Sequence, residues 1–358
     1  MTGARISMRN GLDRAVTDLL KAALKSESAG SVLIPLETPT GDSYAYVVVS
    51  SPEPLERARA LPPVMGIQGA TALASVSRLV GDEGLIAVMR PCEMRAAVEL
   101  AKLEQINLTC VTLVTVDCPG IVPLSAYLSG AVEEPKWSDQ SSVRPVCRTC
   151  ANFAATGDLH VATLGLDEGA ALLVPTSERA EALLEHLGIR ADSELDAWEN
   201  EVEKLAAGRR EARSVAREKL AAEVAGLENL VEFFSRCIGC HNCRRACPIC
   251  YCRQCFIDSD EWDAPAPEYL DRARNAGAMR LPADTVLFHM GRMAHMSLSC
   301  VSCGACEDAC PADIPVAQLF GMVAGRTQAI FDYEPGSDAA QPAPLATYEV
   351  DELHAVED

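Results

Sequence analysis

The chain is poor in basic residues relative to acidic ones and has no long apolar run, and each absence excludes a class of function. Its 31 Lys and Arg stand against 51 Asp and Glu, giving a formal net charge of −20. Such a charge opposes binding to the phosphate backbone of nucleic acids, so no nucleic-acid partner is expected. No stretch approaches the roughly 18 consecutive apolar residues of a membrane-spanning helix, so no membrane span is expected either.

Secretory features are also missing from residues 1–30. They contain neither a continuous apolar core nor a small-residue cleavage site, and the spacing of Leu12, Val16 and Leu19 predicts an amphipathic helix instead. The 16 cysteines of the 358-residue chain bunch at metal-ligand spacings, which favours reduced thiols over disulfides. We therefore expect a cytoplasmic protein of two or three domains.

Two copies of one cysteine pattern near the C-terminal end carry the strongest signal. They read C-I-G-C-H-N-C-R-R-A-C-P from Cys237 and C-V-S-C-G-A-C-E-D-A-C-P from Cys300. The run C-x2-C-x2-C-x3-C-P is typical of two-cluster ferredoxins, in which three thiolates hold one 4Fe–4S cubane and the fourth crosses to the other. This predicts a first cluster and a second cluster, held respectively by Cys237, Cys240, Cys243 and Cys310 and by Cys300, Cys303, Cys306 and Cys247.

Zinc is the alternative for these motifs, because C-x2-C pairs also form structural zinc sites. Zinc usually takes two such pairs, however, and has no use for a third cysteine at the same spacing and a fourth followed by proline. The duplicated pattern therefore favours iron–sulfur clusters, and the protein is expected to carry electrons.

A second set of cysteines lies in the N-terminal half. Cys92 and Cys118 each follow a predicted strand, at the edge where parallel sheets place their ligands. Cys147 and Cys150 follow in a proline-flanked C-R-T-C loop. Four thiols suffice for another cluster or a tetrahedral zinc, while inert thiols are the alternative.

Two arginines flank Cys92. Arg90 and Arg95 are placed to approach an anion, but arginine is usually found at the solvated surface, and that is what we expect of both.

Three further cysteines crowd the end of the first motif, in the segment P-I-C-Y-C-R-Q-C-F. Cys250, Cys252 and Cys255 are consistent with an additional metal site that uses a fourth ligand such as His241. One of them could instead replace Cys247 as a cluster ligand. The third alternative is packing around a cluster, with thiols that hydrogen-bond to its sulfurs.

Periodicity predicts an α/β domain, since apolar runs alternate with helical stretches over residues 31–175. The helix predicted at Glu93–Ile106 lies between two buried strands, which makes a β–α–β unit with parallel strands. The predicted strands are Val32–Leu36, Tyr44–Val49, Leu85–Met89, Val111–Val116, His160–Leu164 and Ala171–Val174.

The expected fold is an α/β N-terminal domain, a helical connector, and a C-terminal α+β dicluster domain of bacterial-ferredoxin type. The boundaries are an N-terminal helix at 1–30, the α/β domain at 31–175, the connector at 176–230, the dicluster domain with an insertion at 231–325, and an acidic Pro/Ala-rich tail at 326–358. The composition of the tail fits either disorder or an extended arm on a partner.

The chain resembles the beta subunits of deazaflavin-linked formate dehydrogenases and deazaflavin-reducing hydrogenases. The resemblance is carried in order by R-P-C-E-M-R-A-A-V-E-L, V-D-C-P-G, C-R-T-C-A-N-F, F-F-S-R-C-I-G-C-H-N-C-R-R-A-C-P-I-C-Y-C-R-Q-C-F and P-L-A-T-Y-E. It implies that Cys92, Cys118, Cys147 and Cys150 hold a third 4Fe–4S cluster. It also implies FAD, although no G-x-G-x-x-G follows any predicted strand and no flavin-binding residue is identified.

The leading functional hypothesis is an electron-transfer subunit of a multisubunit anaerobic oxidoreductase. No motif offers a substrate-converting centre, so chemistry on formate or hydrogen would belong to a catalytic subunit of formate dehydrogenase or hydrogenase type. The resemblance also implies heterodisulfide-reductase-like partners. Two alternatives stand beside it: a flavin-dependent reductase that acts alone on a small substrate, and a scaffold organised by zinc.

Overall fold

A computed structural model describes residues 2–130, 134–259, 265–277 and 283–347. A seven-stranded sheet dominates the N-terminal half, in the order β1-β7-β6-β5-β4-β2-β3. Its strands are β1 (Ala4–Ser7), β2 (Ser31–Glu37), β3 (Tyr44–Val49), β4 (Leu85–Met89), β5 (Val111–Val116), β6 (Leu159–Ala162) and β7 (Ala170–Pro175).

Helices surround this sheet and form the C-terminal half. They are α1 (Leu12–Lys25), α2 (Gly69–Val76), α3 (Pro91–Lys102), α4 (Leu124–Leu128), α5 (Pro145–Arg148), α6 (Glu178–His186), α7 (Asp196–Glu223), α8 (Leu227–Phe233), α9 (Asn242–Arg245), α10 (Ala266–Ala276), α11 (Ala283–Met296), α12 (Ala305–Asp308) and α13 (Val316–Ile330). Short 3-10 turns lie at Glu53–Arg57, Ser77–Leu79, Phe256–Asp258 and Pro344–Ala346. No helix of the described ranges is long and apolar enough to cross a membrane.

The centre of the sheet is parallel and its margins are antiparallel. Strands β2, β4, β5 and β6 pair in parallel, while β3, β7 and β1 run antiparallel to their neighbours. Every residue of β4 is buried, which explains its continuous apolar sequence, because a parallel strand is covered on both faces. The register Met89↔Thr115 brings the carboxyl ends of β4 and β5 to one edge. The predicted α/β fold with a parallel β–α–β unit is confirmed.

The helix after β4 and the N-terminal segment differ from the expectation. The helix expected at Glu93–Ile106 runs from Pro91 to Lys102, because Pro91 and a capping box through Glu93 start it early. Residues 1–30 contain more than a helix, since Ala4–Ser7 form the edge strand β1 and pair with β7. Four residues are too few to show a two-residue period, so the sequence pattern could not reveal this strand.

The cysteine-rich half shares a core with the α/β domain. One buried apolar cluster contains Leu85 and Leu113 of the sheet together with Phe234, Phe288 and Phe320 around the ferredoxin motifs. In the described part of residues 231–347 the chain forms helices and loops and no strand. The ligand loops take their shape from tight turns, which leave no extended run long enough to pair.

Part of the predicted tail is ordered against α3. The buried carboxylate of Glu99 accepts hydrogen bonds from the Tyr333 hydroxyl at 2.6 Å and from the Gly336 amide at 2.8 Å. Lys102 completes the network with its ammonium 3.2 Å from Glu99. This segment is therefore an arm held by its own chain, while residues 348–358 lie outside the described ranges.

Candidate iron–sulfur centres

The two ferredoxin motifs adopt the same backbone conformation. In the first, Gly239 and His241 have φ values of 66° and 57°, and at the matching positions of the second, Ser302 and Gly304 have 56° and 80°. Each motif then enters a one-turn helix, α9 or α12. Left-handed residues at both positions turn the chain sharply and let successive cysteines face a common centre.

The first site gathers the crosswise set that the spacing predicts. Cys237, Cys240 and Cys243 line one cavity together with Cys310 of the second motif. The apolar wall of this cavity includes Phe288 and Ile314. Four thiols spread around one cavity fit a cubane, which binds a thiolate at each iron corner.

His289 contacts this first site and was not identified from sequence. Its Nε2 lies 3.5 Å from the Cys237 sulfur, and its ring stacks on Phe234 with centroids 4.0 Å apart. Burial, together with the positive charge of Arg292, lowers the pKa of His289 to about 3. The imidazole is therefore neutral at physiological pH and can donate a hydrogen bond to the sulfur without adding charge.

The second site lies deeper. Cys306 is buried, and Cys300 and Cys303 lie near it. A thiolate charge on either neighbour raises the pKa of Cys306. Cys247 of the first motif lies beside Cys306 around the guanidinium of Arg292. The second predicted set is thus also brought together from both motifs.

Burial keeps these thiols in their neutral form unless a metal binds them. Burial raises the pKa of Cys243 and of Cys303 to about 11 and that of Cys147 to about 12. Burial also raises the pKa values of Cys92 and Cys306 well above the ordinary range. Such thiols ionise when iron binds them, since a coordinating metal deprotonates a thiol outright. A soft, all-sulfur donor set of this kind fits an iron–sulfur cluster.

Within the described ranges, no three His, Cys, Asp or Glu side chains converge closely enough to hold a single metal ion. The four thiols of the first site instead stand around the wall of a cavity. Four sulfurs around the wall of one cavity are the arrangement in which a multi-atom cluster is held.

The third set converges at the sheet edge that the strand order predicts. Cys92 lies in the first turn of α3 and Cys118 follows β5. Cys118 and Cys150 lie near enough to Cys92 to raise the pKa of its thiol, and Cys118 has the same effect on Cys147. The four thiols, including the two of the C-R-T-C loop, are therefore neighbours.

Buried polar networks hold the two strand ends in place. Glu93, next to Cys92, accepts hydrogen bonds from the amides of Arg90 and Gly69 at 2.9 and 2.8 Å and from the Tyr46 hydroxyl at 2.7 Å. The carboxylate thereby caps α3 and fixes its first turn.

Asp117 does the same for Cys118. His160 Nε2 lies 2.9 Å from its Oδ1, and the Thr163 amide and the Trp198 indole donate to its Oδ2 at 2.6 and 3.1 Å. Although burial opposes the charge, the bonds from His160 and the backbone hold the pKa of Asp117 below its usual value. The carboxylate ties β5, β6 and α7 together immediately before Cys118.

Arg90 and Arg95 correct the expectation of solvated arginines, because both are buried, with exposures of 3% and 7%. The Arg90 guanidinium lies 3.0 Å from the Cys118 sulfur and also donates to the carbonyl oxygens of Gly120 and Pro62. Burial opposes its charge, but Cys118 and Glu93 raise the pKa of Arg90 above its usual value. Sequence alone cannot show this role, because the thiol lies 28 residues away along the chain.

The third and second sites adjoin. Cys92 and Cys147 pack in one small cluster with Cys303, around the buried side chains of Met65 and Ile121. The charge of Cys303 is also among those that act on the Cys92 thiol. No linker of solvent-exposed chain separates the two thiol sets.

The three extra cysteines occupy different environments. The hydrogen bond between Cys250 and Cys247, reinforced by burial, raises the pKa of Cys250. Cys252 is exposed, and its carbonyl oxygen accepts a bond from Arg244 at 3.1 Å. Cys255 also bonds to Arg244. His241 instead pairs with Asp258 at 3.3 Å. These contacts favour packing around the cluster over an additional metal site.

A large cavity opens beside the second and third sites. It has a volume of about 650 Å³ and is lined by Cys150 and Cys300. Its charged lining comprises Arg95, Arg148, Arg210, Arg213 and Arg217, opposed by Asp332 and Glu334. Arg217 is half-buried, and within the described ranges neither it nor Arg213 forms an ion pair. The cavity is therefore suited to an anionic ligand.

The loops and the thiol sets of the C-terminal half have the arrangement that is typical of dicluster ferredoxins. The family described as "4Fe-4S dicluster domain" matches residues 233–314, which contain both cysteine motifs.

The curated relatives specify the resemblance further. The chain is 26% identical over 312 residues to the F420-dependent formate dehydrogenase subunit beta of Methanocaldococcus jannaschii, covering 75% of this chain and 77% of that one. It is 27% identical over 322 residues to the F420-dependent formate dehydrogenase 1 subunit beta of Methanococcus maripaludis, with the same coverage of 75% and 77%. The resemblance to these beta subunits that the motifs indicated is confirmed.

Among solved structures, the chain is similar to a chain of the F420-reducing [NiFe] hydrogenase complex from Methanosarcina barkeri. The match has a TM-score of 0.48 and 14% identity, and covers 61% of this chain and 92% of that one.

Proposed function

We propose that this protein is an electron-transfer iron–sulfur subunit of a multisubunit oxidoreductase. The observation that carries the proposal is the arrangement of its cysteines. Three sets of four thiols follow one another through the molecule. Cys92 of the third set packs beside Cys303 of the second, and Cys243 of the first set lies near Cys306 of the second. Clusters held by neighbouring thiolates are close enough to exchange electrons, so the arrangement is a relay.

The relay runs from the interior to the surface. The third and second sites are enclosed by both halves of the chain, while Cys240 of the first site is exposed, next to Ile238 with 70% of its surface accessible. Electrons would therefore enter or leave through the first cluster, where a partner can approach.

The partner that fits best is a catalytic subunit of formate dehydrogenase or hydrogenase type. The support is the name of the relatives, which are beta subunits of formate dehydrogenases. The sequence offers no motif for a substrate-converting centre, so that chemistry would take place in the partner. Heterodisulfide-reductase-like subunits are a second kind of partner. None of the sixteen cysteines forms a disulfide, which is consistent with the cytoplasm.

The proposed cofactors are three 4Fe–4S clusters and a flavin. The arginine-lined cavity of about 650 Å³ supports FAD, because it has the size of a ligand pocket and guanidinium groups recognise a pyrophosphate well. Cys150 and Cys300 in its wall would place the flavin beside the third and second clusters. A flavin there would exchange pairs of electrons with a carrier and single electrons with the clusters.

Neither alternative is favoured. A zinc scaffold is not supported by the similarity to a 4Fe–4S dicluster domain. A reductase that acts alone is not supported by relatives that are subunits of a larger enzyme.

The test is stepwise anaerobic reduction of the purified chain, followed by electron paramagnetic resonance and flavin analysis. Neighbouring reduced clusters should give signals broadened by their mutual magnetic interaction, and Cys118→Ala should remove one cluster and simplify them. Arg217→Ala should lower the flavin content while the signals of the clusters persist. A colourless protein without these signals would contradict the electron-transfer proposal.

A further inference from the structure

Arg292 is the most deeply buried charged side chain that the cluster assignments leave unexplained. It lies on α11, in the segment between the two ferredoxin motifs, and only 2% of its surface is exposed. Its Nε, Nη1 and Nη2 atoms have no hydrogen-bond partner of good geometry among the described residues, and the group within reach of the guanidinium is the neutral thiol of Cys250. Among these residues no Asp or Glu forms an ion pair with it.

An unpaired buried charge is expensive. Removing a guanidinium from water costs several kcal/mol unless an anion compensates. The side chain does lie over aromatic rings, 4.8 Å from the centroid of Phe320 and 5.9 Å from that of Phe288. A cation–π contact contributes about 2 kcal/mol in a dry site, which is less than the several kcal/mol that desolvation costs, so the rings alone do not explain the burial. A negative group must face the guanidinium.

The surroundings of Arg292 identify that group. Cys243 of the first set and Cys306 and Cys247 of the second set are the thiols whose charges act on it, with Cys250 beside them. Arg292 therefore lies where both clusters would lie closest to each other. A cubane with its four thiolates carries net negative charge, and reduction adds to it.

We propose that Arg292 is a positioning and charge-compensating residue shared by the two ferredoxin-type clusters, which raises the reduction potentials of both. The proposal rests on the proposed function, since it requires both clusters. A positive charge stabilises the reduced, more negative state of any cluster nearby. Because one guanidinium raises the potentials of both clusters, it does not hold the electron on one of them. The arrangement therefore favours electron transfer between the two clusters. The third cluster is separated from Arg292 by the second and should feel little of this charge.

The segment between the two motifs also contributes side chains to both sites. One turn of α11 presents His289 to the sulfur of Cys237 and Arg292 to the thiols of both sets. The insertion thus returns between the two motifs and supplies groups that neither motif contains.

The test compares Arg292→Met with Arg292→Lys in redox titrations followed by electron paramagnetic resonance. Arg292→Met should lower the equilibrium constant for reduction of each ferredoxin-type cluster at least tenfold, which is a fall in reduction potential of about 59 mV for a one-electron couple. The potential of the third cluster should not change. Arg292→Lys, which keeps the charge, should shift the two constants about threefold or less. Arg326→Met removes an exposed arginine of α13 and should change nothing, since exposed charges are screened.

Several outcomes overturn the proposal. If an Arg292→Met protein keeps its iron and the reduction potentials of its clusters do not change, Arg292 has only a packing role. If that variant loses its clusters, Arg292→Lys decides, because a shift as large as tenfold despite the retained charge would also refute compensation. Wild-type protein without iron would instead reject the proposed function itself.

Discussion

Arg144 and Asp308 form a buried ion pair that joins the C-R-T-C loop to the second ferredoxin motif, with side-chain exposures of 4% and 8%. Arg144 also donates to the carbonyl oxygen of Cys303 at 3.3 Å, and Asp308 accepts from the amide of Leu124 at 2.9 Å. The α/β domain and the dicluster segment are thereby locked where the third and second sites adjoin.

Breaking this pair should destabilise the protein strongly. Arg144→Met leaves the Asp308 carboxylate buried and uncompensated, so the free energy of unfolding should fall by about 3 kcal/mol. Anaerobic calorimetry would measure the change. Arg5→Met is the matched control, because Arg5 pairs with Asp167 at the surface with exposures of 57% and 82%, where a pair contributes less than about 1 kcal/mol. Equal losses in the two variants would argue against the lock.

Asp117 should be needed for the third cluster alone. In Asp117→Asn, the amide cannot accept all the bonds from His160, Trp198 and the backbone, so the end of β5 before Cys118 should loosen. The iron content should then fall from about twelve to about eight atoms per chain, with the signals of the two ferredoxin-type clusters retained. Asp167→Asn at the surface should keep all the iron. A loss spread over all three clusters would contradict this assignment.

Gly336 should be required for docking of the arm. A Cβ at this position would lie 2.4 Å from the Arg95 backbone, and φ is 72°. Gly336→Ala should therefore release the arm and increase proteolysis around Tyr333. Gly226→Ala separates the two causes, because Gly226 has a φ of 86° with open space around it, and should cost only about 1 kcal/mol of backbone strain. Similar behaviour of both variants would show that the close contact does not hold the arm.

His289 should make stability depend on pH in the weakly acidic range. Its pKa is about 3 in the folded chain against 6.5 ordinarily, so below pH 6.5 the unfolded state takes up the proton and the folded state does not. The contribution of His289 to the free energy of unfolding is therefore fully present above pH 6.5. It falls as the pH decreases below 6.5, by about 1.4 kcal/mol for each pH unit. Between pH 7.5 and 5.5, His289→Gln should lose less thermal stability than the wild type. An identical pH dependence in both proteins would exclude His289 as its source.

The sheet centre was readable from sequence because burial on both faces leaves an unbroken apolar run. Leu85–Met89 and Val111–Val116 coincide with the expected strands, and each is bounded by glycine, proline or cysteine. The cysteine sets could be proposed from sequence because ligand spacing is local in the motifs and strand ends meet at one edge. The short strand Ala4–Ser7 was missed, since it is specified by its pairing with β7 rather than by its own pattern.

The groups around the clusters were not readable. Arginine is usually solvated, so the burial of Arg90 and Arg292 follows only from thiols that other segments bring to them. The contact of His289 with Cys237 depends on α11 folding back over the first motif. Such positions depend on tertiary packing, which a sequence period does not encode.

The central claim is that twelve thiols in three sets hold three cubanes. The most direct measurement is the iron and acid-labile sulfide content of anaerobically purified protein. Three cubanes should give about twelve irons and about twelve sulfides per chain. About eight would leave the third set without a cluster, and zinc in place of iron and sulfide would contradict the account altogether.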